Sequence, residues 1–139
     1  MFRKMLIAND GSKGGDHALA FAIDLARRLD LALHMVCVEE LPWFPASVDE
    51  VIEQQGADER IFDGVIDRAR ARAAGKKVTL ETHVVAGHPV SSIVEFIRQG
   101  GYDLLVIGYM GHPALYNRVI GSTTDRLVEL APCTVMVIK

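Results

Sequence analysis

Leu104-Leu105-Val106-Ile107-Gly108-Tyr109-Met110-Gly111 carries four apolar residues into a glycine-spaced loop, and Gly121-Ser122-Thr123-Thr124 closes that loop. A short apolar run bounded by glycine reads as a buried strand. Ser122 to Leu130 then reads as a short helix, and Cys133 to Ile138 as a closing strand. Strand, loop, helix and strand make the repeating unit of a parallel sheet, because parallel neighbours need a long crossover.

The same alternation extends back to the start of the chain. Met5 to Ala8 is a first short strand, ended by the turn residues Asn9-Asp10-Gly11-Ser12. Ala18, Ala22, Leu25 and Leu29 then follow at helical spacing and predict one buried helix face. Ser12 precedes that helix as its cap. Leu31 to Val38 is the second strand, and the segment with Trp43 and Phe44 between two prolines is a loop. Ala57, Ile61, Val65, Ala69 and Ala73 mark a long helix from about Val48 to Ala74. Gly56 and Gly64 weaken it by up to about 1 kcal/mol each, which leaves a break in it open. Lys77 to Val85 is the third strand, and Gly87-His88-Pro89 turns into a helix carrying Val90, Ile93, Val94 and Ile97. Pro89 suits a first-turn position, where its missing N–H costs nothing. Five strands alternating with four helices predict one α/β domain over residues 1–139, a parallel sheet covered on both faces.

In an open α/β sheet, ligands bind beyond the carboxyl ends of the strands. That rule points to Asn9-Asp10, Val38-Glu39, Ala86-Gly87 and Gly108 onward. Glycine lets a backbone approach a ligand closely. A helix N-terminus offers free N–H groups and the positive end of a dipole, which suits phosphate. Ser122, Thr123 and Thr124 add hydroxyl donors at that end. The loop from Gly108 to Ser122 therefore reads as a phosphate cradle, against the plainer reading of ordinary loop glycines and a Ser/Thr cap. His112 lies in it and reads either as a further phosphate contact or as a side chain pointing to solvent. Asp10 reads as a turn former and also as a carboxylate able to accept from a ligand hydroxyl, and both can hold at once.

Composition sets the outer limits. The chain has 139 residues, 50% hydrophobic and 24% charged, with a formal net charge of −3. That charge disfavours a nucleic-acid binder held by a broad basic field. No apolar stretch reaches the ~18 residues of a membrane span, and no secretory leader is legible, so the expected compartment is the cytoplasm. Cys37 and Cys133 sit in apolar strands and are expected to be buried free thiols. The five histidines include no pair four apart on a helix, so no zinc site is signalled, and His34 and His83 are expected to be structural.

The spacing G-x2-G-x9-G-[ST], as Gly108, Gly111, Gly121 and Ser122, resembles the ATP-binding motif of the universal stress protein family. Met5 to Ser12 is similar to that family's opening strand and Asp-x-Ser turn, Gly87-His88-Pro89 to its Gly-x-Pro turn, and Ala131 to Ile138 to its closing strand. The resemblance spans nearly the whole chain. It implies strand order 3-2-1-4-5, the fold of adenine nucleotide alpha hydrolases, and a homodimer through the closing strand Val135–Ile138. It implies a stress-response regulator holding ATP or another adenine nucleotide, with Mg or Mn on the phosphates and no side chain singled out as a metal ligand. Asp10 would then lie near the ribose, Ala8 and Val38 beside the adenine, and Gly111 with Gly121, Ser122, Thr123 and Thr124 on the phosphates. Asn9, Gly108, Met110 and His112 complete the expected nucleotide-binding set. Tyr109 and Met110 depart from the family's usual polar pair and leave the backbone to hold the phosphates.

Rapid hydrolysis is not expected, since no general base stands beside the loop: Asp125 and Glu129 belong to the following helix. A slow ATPase and a nucleotide-free dimeric module that binds a regulatory protein partner are the alternatives. A signalling receiver domain has the same alternation but needs an acidic pair after the first strand, where Asn9 precedes a single Asp10.

Overall fold

The computed structural model describes residues 1–40, 48–109 and 122–139. The chain runs β1 (Lys4–Ala8), α1 (Lys13–Leu29), β2 (Ala32–Glu40), α2 (Val48–Gly75), β3 (Leu80–Gly87), α3 (Pro89–Gly100), β4 (Leu104–Gly108), α4 (Ser122–Leu130) and β5 (Thr134–Ile138). The five strands form one parallel sheet in the order β3-β2-β1-β4-β5. Both the alternation and the order match the expectation.

The sheet is buried on both faces, and residue parity along the strands divides its side chains between two cores. Met5, Ile7, Met35, Cys37, Leu104 and Val106 face α1 and α2. Leu6, Val36, Leu105 and Ile107 face α3 and α4. The central strands β1 and β4 therefore read as unbroken apolar runs, whereas β5 at the edge is only half-buried. No helix among the described residues is long and apolar enough to cross a membrane.

The elements differ from the sequence reading in detail: β1 starts at Lys4, β3 ends at Gly87 and β5 starts at Thr134. The buried face of α1 is Ala18, Leu19, Ala22, Ile23 and Ala26, while Leu29 at its end is exposed. The chain reverses there through Asp30 in the left-handed region, φ 54°, and Leu31 enters the core in its place. β3 begins at Leu80 rather than Lys77, because the N–H groups of Lys76, Lys77 and Val78 turn back onto the carbonyls of Ala73 and Ala74. β2 continues to Glu40, where Glu39 and Glu40 pair with Ala86 and Gly87.

α2 is continuous through both of its suspect glycines. Its buried stripe of Phe62, Val65, Ala69 and Ala73 packs on the sheet and outweighs the propensity cost. Gly64 is exposed, and a Cβ there would meet only the tip of the Arg68 side chain at 3.3 Å, a group free to shift. Gly64→Ala is expected to raise stability by about 0.5–1 kcal/mol, read as a shift of the urea midpoint at unchanged slope.

Candidate functional site

The topology creates one crevice by itself. From β1 the chain goes to β2 on one side, and β4 lies on the other, so the β1–β4 boundary is the switch point of the sheet. Crossovers leave on opposite faces at such a point, and the strand ends part there.

At the carboxyl end of β1, Asn9 is buried and its Oδ1 accepts from Gly11 N at 2.9 Å. Its Nδ2 donates weakly to the Met35 sulfur at 3.6 Å. Asp10 is exposed, and its Oδ1 accepts from the N–H of Ser12 at 3.0 Å and also from the Ser12 hydroxyl. Ser12 Oγ in turn accepts from Gly15 N at 3.1 Å, capping α1 as expected. Asp10 thus forms the turn, one oxygen of its carboxylate holding Ser12 at the start of the first helix.

Gly108 ends β4 directly against the start of α1. A Cβ on Gly108 would lie 2.7 Å from the carbonyl oxygen of Gly14 and 3.3 Å from Gly15 N. The Thr124 hydroxyl donates to the Gly108 carbonyl at 3.2 Å and ties the first turn of α4 to the same point. The N-termini of α1 and α4 therefore converge on the end of β4. At α1 the N–H groups of Gly15 and Asp16 are already held by Ser12, so it is the start of α4 whose dipole favours an anion there.

Tyr109 continues the β4–β5 ladder, with its N–H on the Ile138 carbonyl at 3.0 Å. The ammonium of Lys139 lies 5.5 Å from the Tyr109 ring centre, so the end of β5 brings a cation beside the end of β4. Ala8 and Val38 are half-buried on the α3–α4 face at the ends of their strands. Thr123 is exposed and Thr124 half-buried in the first turn of α4, which Ser122 heads. Met110, Gly111, His112 and Gly121 lie outside the described residues, as do Trp43 and Phe44.

The thiols differ from each other more than expected. Cys37 is fully buried, and burial pushes its pKa up to about 12, with the Asp10 carboxylate adding to the rise. Cys133 is only half-buried, and it lies in the bend before β5 rather than in the strand where the sequence reading placed it. Its pKa is also raised by burial, partly offset by a backbone hydrogen bond from Leu105.

The sequence reading missed a polar cluster on the α3–α4 face. His34 and Glu81 are register partners on β2 and β3, and His83 follows two residues after Glu81 on the same face. His34 Nε2 lies 3.1 Å from Glu81 Oε2. His34 Nδ1 lies 3.0 Å from His83 Nε2 and 3.0 Å from the Tyr102 hydroxyl. Burial holds the His34 pKa below its usual value; Glu81 works against this, while Lys4 and His83 reinforce it. Burial and Glu81 both raise the Tyr102 phenol. Only the pairing of two strands joins these residues, so a search for helical spacing could not find them.

The universal stress protein family model matches residues 1–139. A curated relative, universal stress protein MJ0531 of Methanocaldococcus jannaschii, is 27% identical, covering 100% of this chain and 83% of its own. A solved universal stress protein in complex with cAMP superposes with a TM-score of 0.75 at 20% identity, covering 99% of this chain and 97% of that one. A family protein from Arabidopsis thaliana with AMP bound gives 0.69 at 17% identity, over 99% and 91% of the two chains. At these identities the two structures speak for the shared fold. The full-length match of the family model decides membership: the chain belongs to the universal stress protein family.

Proposed function

We propose that this chain binds an adenine nucleotide, ATP being the best candidate, across the switch point between β1 and β4, and acts as a regulator that hydrolyses it slowly or not at all. The observation that carries the reading is the N-terminus of α4, tied by Thr124 to the end of β4 at the switch point of the sheet. Such a place suits a phosphate chain held by backbone N–H groups. Asp10, Ala8 and Val38 stand at neighbouring strand ends, where ribose and base would extend from it. The cAMP and AMP carried by the two related structures share the adenosine part that these positions would meet.

Gly111, Gly121, Ser122, Thr123 and Thr124 would hold the phosphates, with His112 and the Met110 backbone beside them and Mg or Mn neutralising the charge. Two observations support slow turnover. The described Asp10 oxygen is occupied by Ser12, and Asp125 and Glu129 are exposed on α4. A stress-response role in the cytoplasm, exerted through a regulatory protein partner, accords with this reading. The half-buried edge strand β5 supports a homodimer through Val135–Ile138, since an uncovered apolar edge invites pairing.

Denaturing the purified protein and identifying released nucleotide by chromatography tests the site. Adenine nucleotide at near-equimolar yield is expected, or else a rise in Tm on adding ATP and magnesium to nucleotide-free protein. Ligand at 100 times Kd stabilises the folded state by about 2.7 kcal/mol. Gly121→Val should abolish both effects. No nucleotide and no thermal shift in the parent chain would refute the proposal.

A further inference from the structure

We propose that His34, Glu81 and His83 form a binding site for a divalent transition-metal ion of the zinc class, on the sheet face away from α1 and α2. One ligand atom from each of the three residues lies within 4.8 Å of the other two. Two imidazoles and one carboxylate are the donor set that zinc accepts, in a tetrahedron with bonds of about 2.0–2.2 Å. Ligand atoms around such an ion stand about 3.3 Å apart by that geometry. The His34 Nε2 to Glu81 Oε2 separation of 3.1 Å is close to that spacing, and the three ligand atoms, already within 4.8 Å of one another, need the His83 ring to turn from His34 Nδ1 toward the ion.

The backbone makes the arrangement rigid. Glu81 and His83 are two apart on one strand, and His34 is the direct register partner of Glu81 on the next. The ladder between β2 and β3 runs from Leu33 to Glu40, so all three Cα positions are held by paired strands. A ligand set on paired strands is pre-organised in a way that a loop set is not.

A supporting shell is also present. With the ion on His34 Nε2, the ring proton sits on Nδ1 and can be donated to the Tyr102 hydroxyl oxygen, 3.0 Å away. That bond fixes the ring, as the partners of metal-bound histidines generally do. Phe96 packs 5.0 Å from the His83 ring and stacks on Tyr102, forming an apolar wall on the helix side. Lys4 is the opposing charge, but its ammonium donates to the Gly100 carbonyl at 2.7 Å and lies over the Tyr102 ring at 4.4 Å. The side chain of His34 is 12% exposed and that of Glu81 66% exposed. The cluster is thus walled on one side and open at Glu81. An ion can enter there and keep a fourth position for water, which three-ligand zinc sites leave open.

The test uses the full chain after chelator treatment and dialysis. Titration with zinc chloride by calorimetry should give one tight ion per chain. Cobalt(II) should give the intense visible absorption of a four-coordinate ion. Glu81→Gln, at an exposed position, should weaken zinc at least tenfold without changing the fold. His83→Ala should abolish the cobalt spectrum, with circular dichroism confirming that the chain is folded. The proposal is overturned if the parent chain binds no zinc, or if both variants bind it with parental affinity and spectrum. The readout does not involve nucleotide, so it stands or falls apart from the site at Gly108.

Discussion

Gly108→Ala should cost about 1–3 kcal/mol of stability, the usual penalty for overpacking a close-packed site. The added Cβ would stand 2.7 Å from the Gly14 carbonyl oxygen and 2.8 Å from its carbon. Both are main-chain atoms in the first turn of α1, so no rotamer change relieves the clash. Gly15 cannot yield easily either: it is buried, and a Cβ placed there would sit 2.3 Å from Asn9 Oδ1. Relief requires β4 and α1 to separate, which moves the Gly108 carbonyl away from Thr124 as well. Denaturant titration should show the loss, and nucleotide affinity should fall in the same variant, since the displaced atoms frame the proposed phosphate cradle. The same glycine-to-alanine change at Gly64 has the opposite expected sign. An unchanged Gly108→Ala midpoint would mean that the strand end and the helix do not pack as described.

Cys37 should make stability fall steeply in alkali. Its thiol is raised to about 12 in the folded chain, against 9.0 for an ordinary cysteine. Below the unfolded value both states hold the proton, and pH has no effect through this group. Above it the unfolded chain ionises first, so each further pH unit costs about 1.4 kcal/mol until the folded thiol also ionises. The window from 9.0 to about 12 thus carries up to about 4 kcal/mol. Denaturation curves taken across it should be shallower for Cys37→Ala than for the parent; parallel profiles would contradict the assignment. Alkylation at pH 8 should accordingly reach Cys133 before Cys37, because the reactive species is the thiolate and only Cys133 is half-exposed.

Local signals in the sequence were strong where one physical cause acted alone. Ser12 before a helical stripe is a cap because its hydroxyl serves an N–H three residues away. Pro89 stands in the first turn of α3 because no N–H is needed there. The unbroken apolar runs of β1 and β4 foretold central strands covered on both faces. Signals failed where two causes competed. Leu29 has the right helical spacing but sits where the chain must reverse, and Leu31 takes the core position instead. Gly64 weakens α2 locally, yet a packed stripe on the other side of the helix keeps it whole.

The candidate site divides in the same way. Asn9, Asp10 and Gly108 were legible as strand ends, because alternating strands and helices leave little choice about where a parallel sheet opens. That Gly108 lies against Gly14, with Thr124 closing on it, needed the structure, since residues about a hundred positions apart meet there. The strand–helix alternation thus determined the parallel sheet covered on both faces, and the resemblance carried by the glycine spacing and the other motifs supplied the family and the strand order. Tertiary structure alone decided which side chains meet across strands. His34 and Glu81 are far apart in the chain and become neighbours only through the β2–β3 register, a pairing set by the whole buried sheet rather than by any local run of residues.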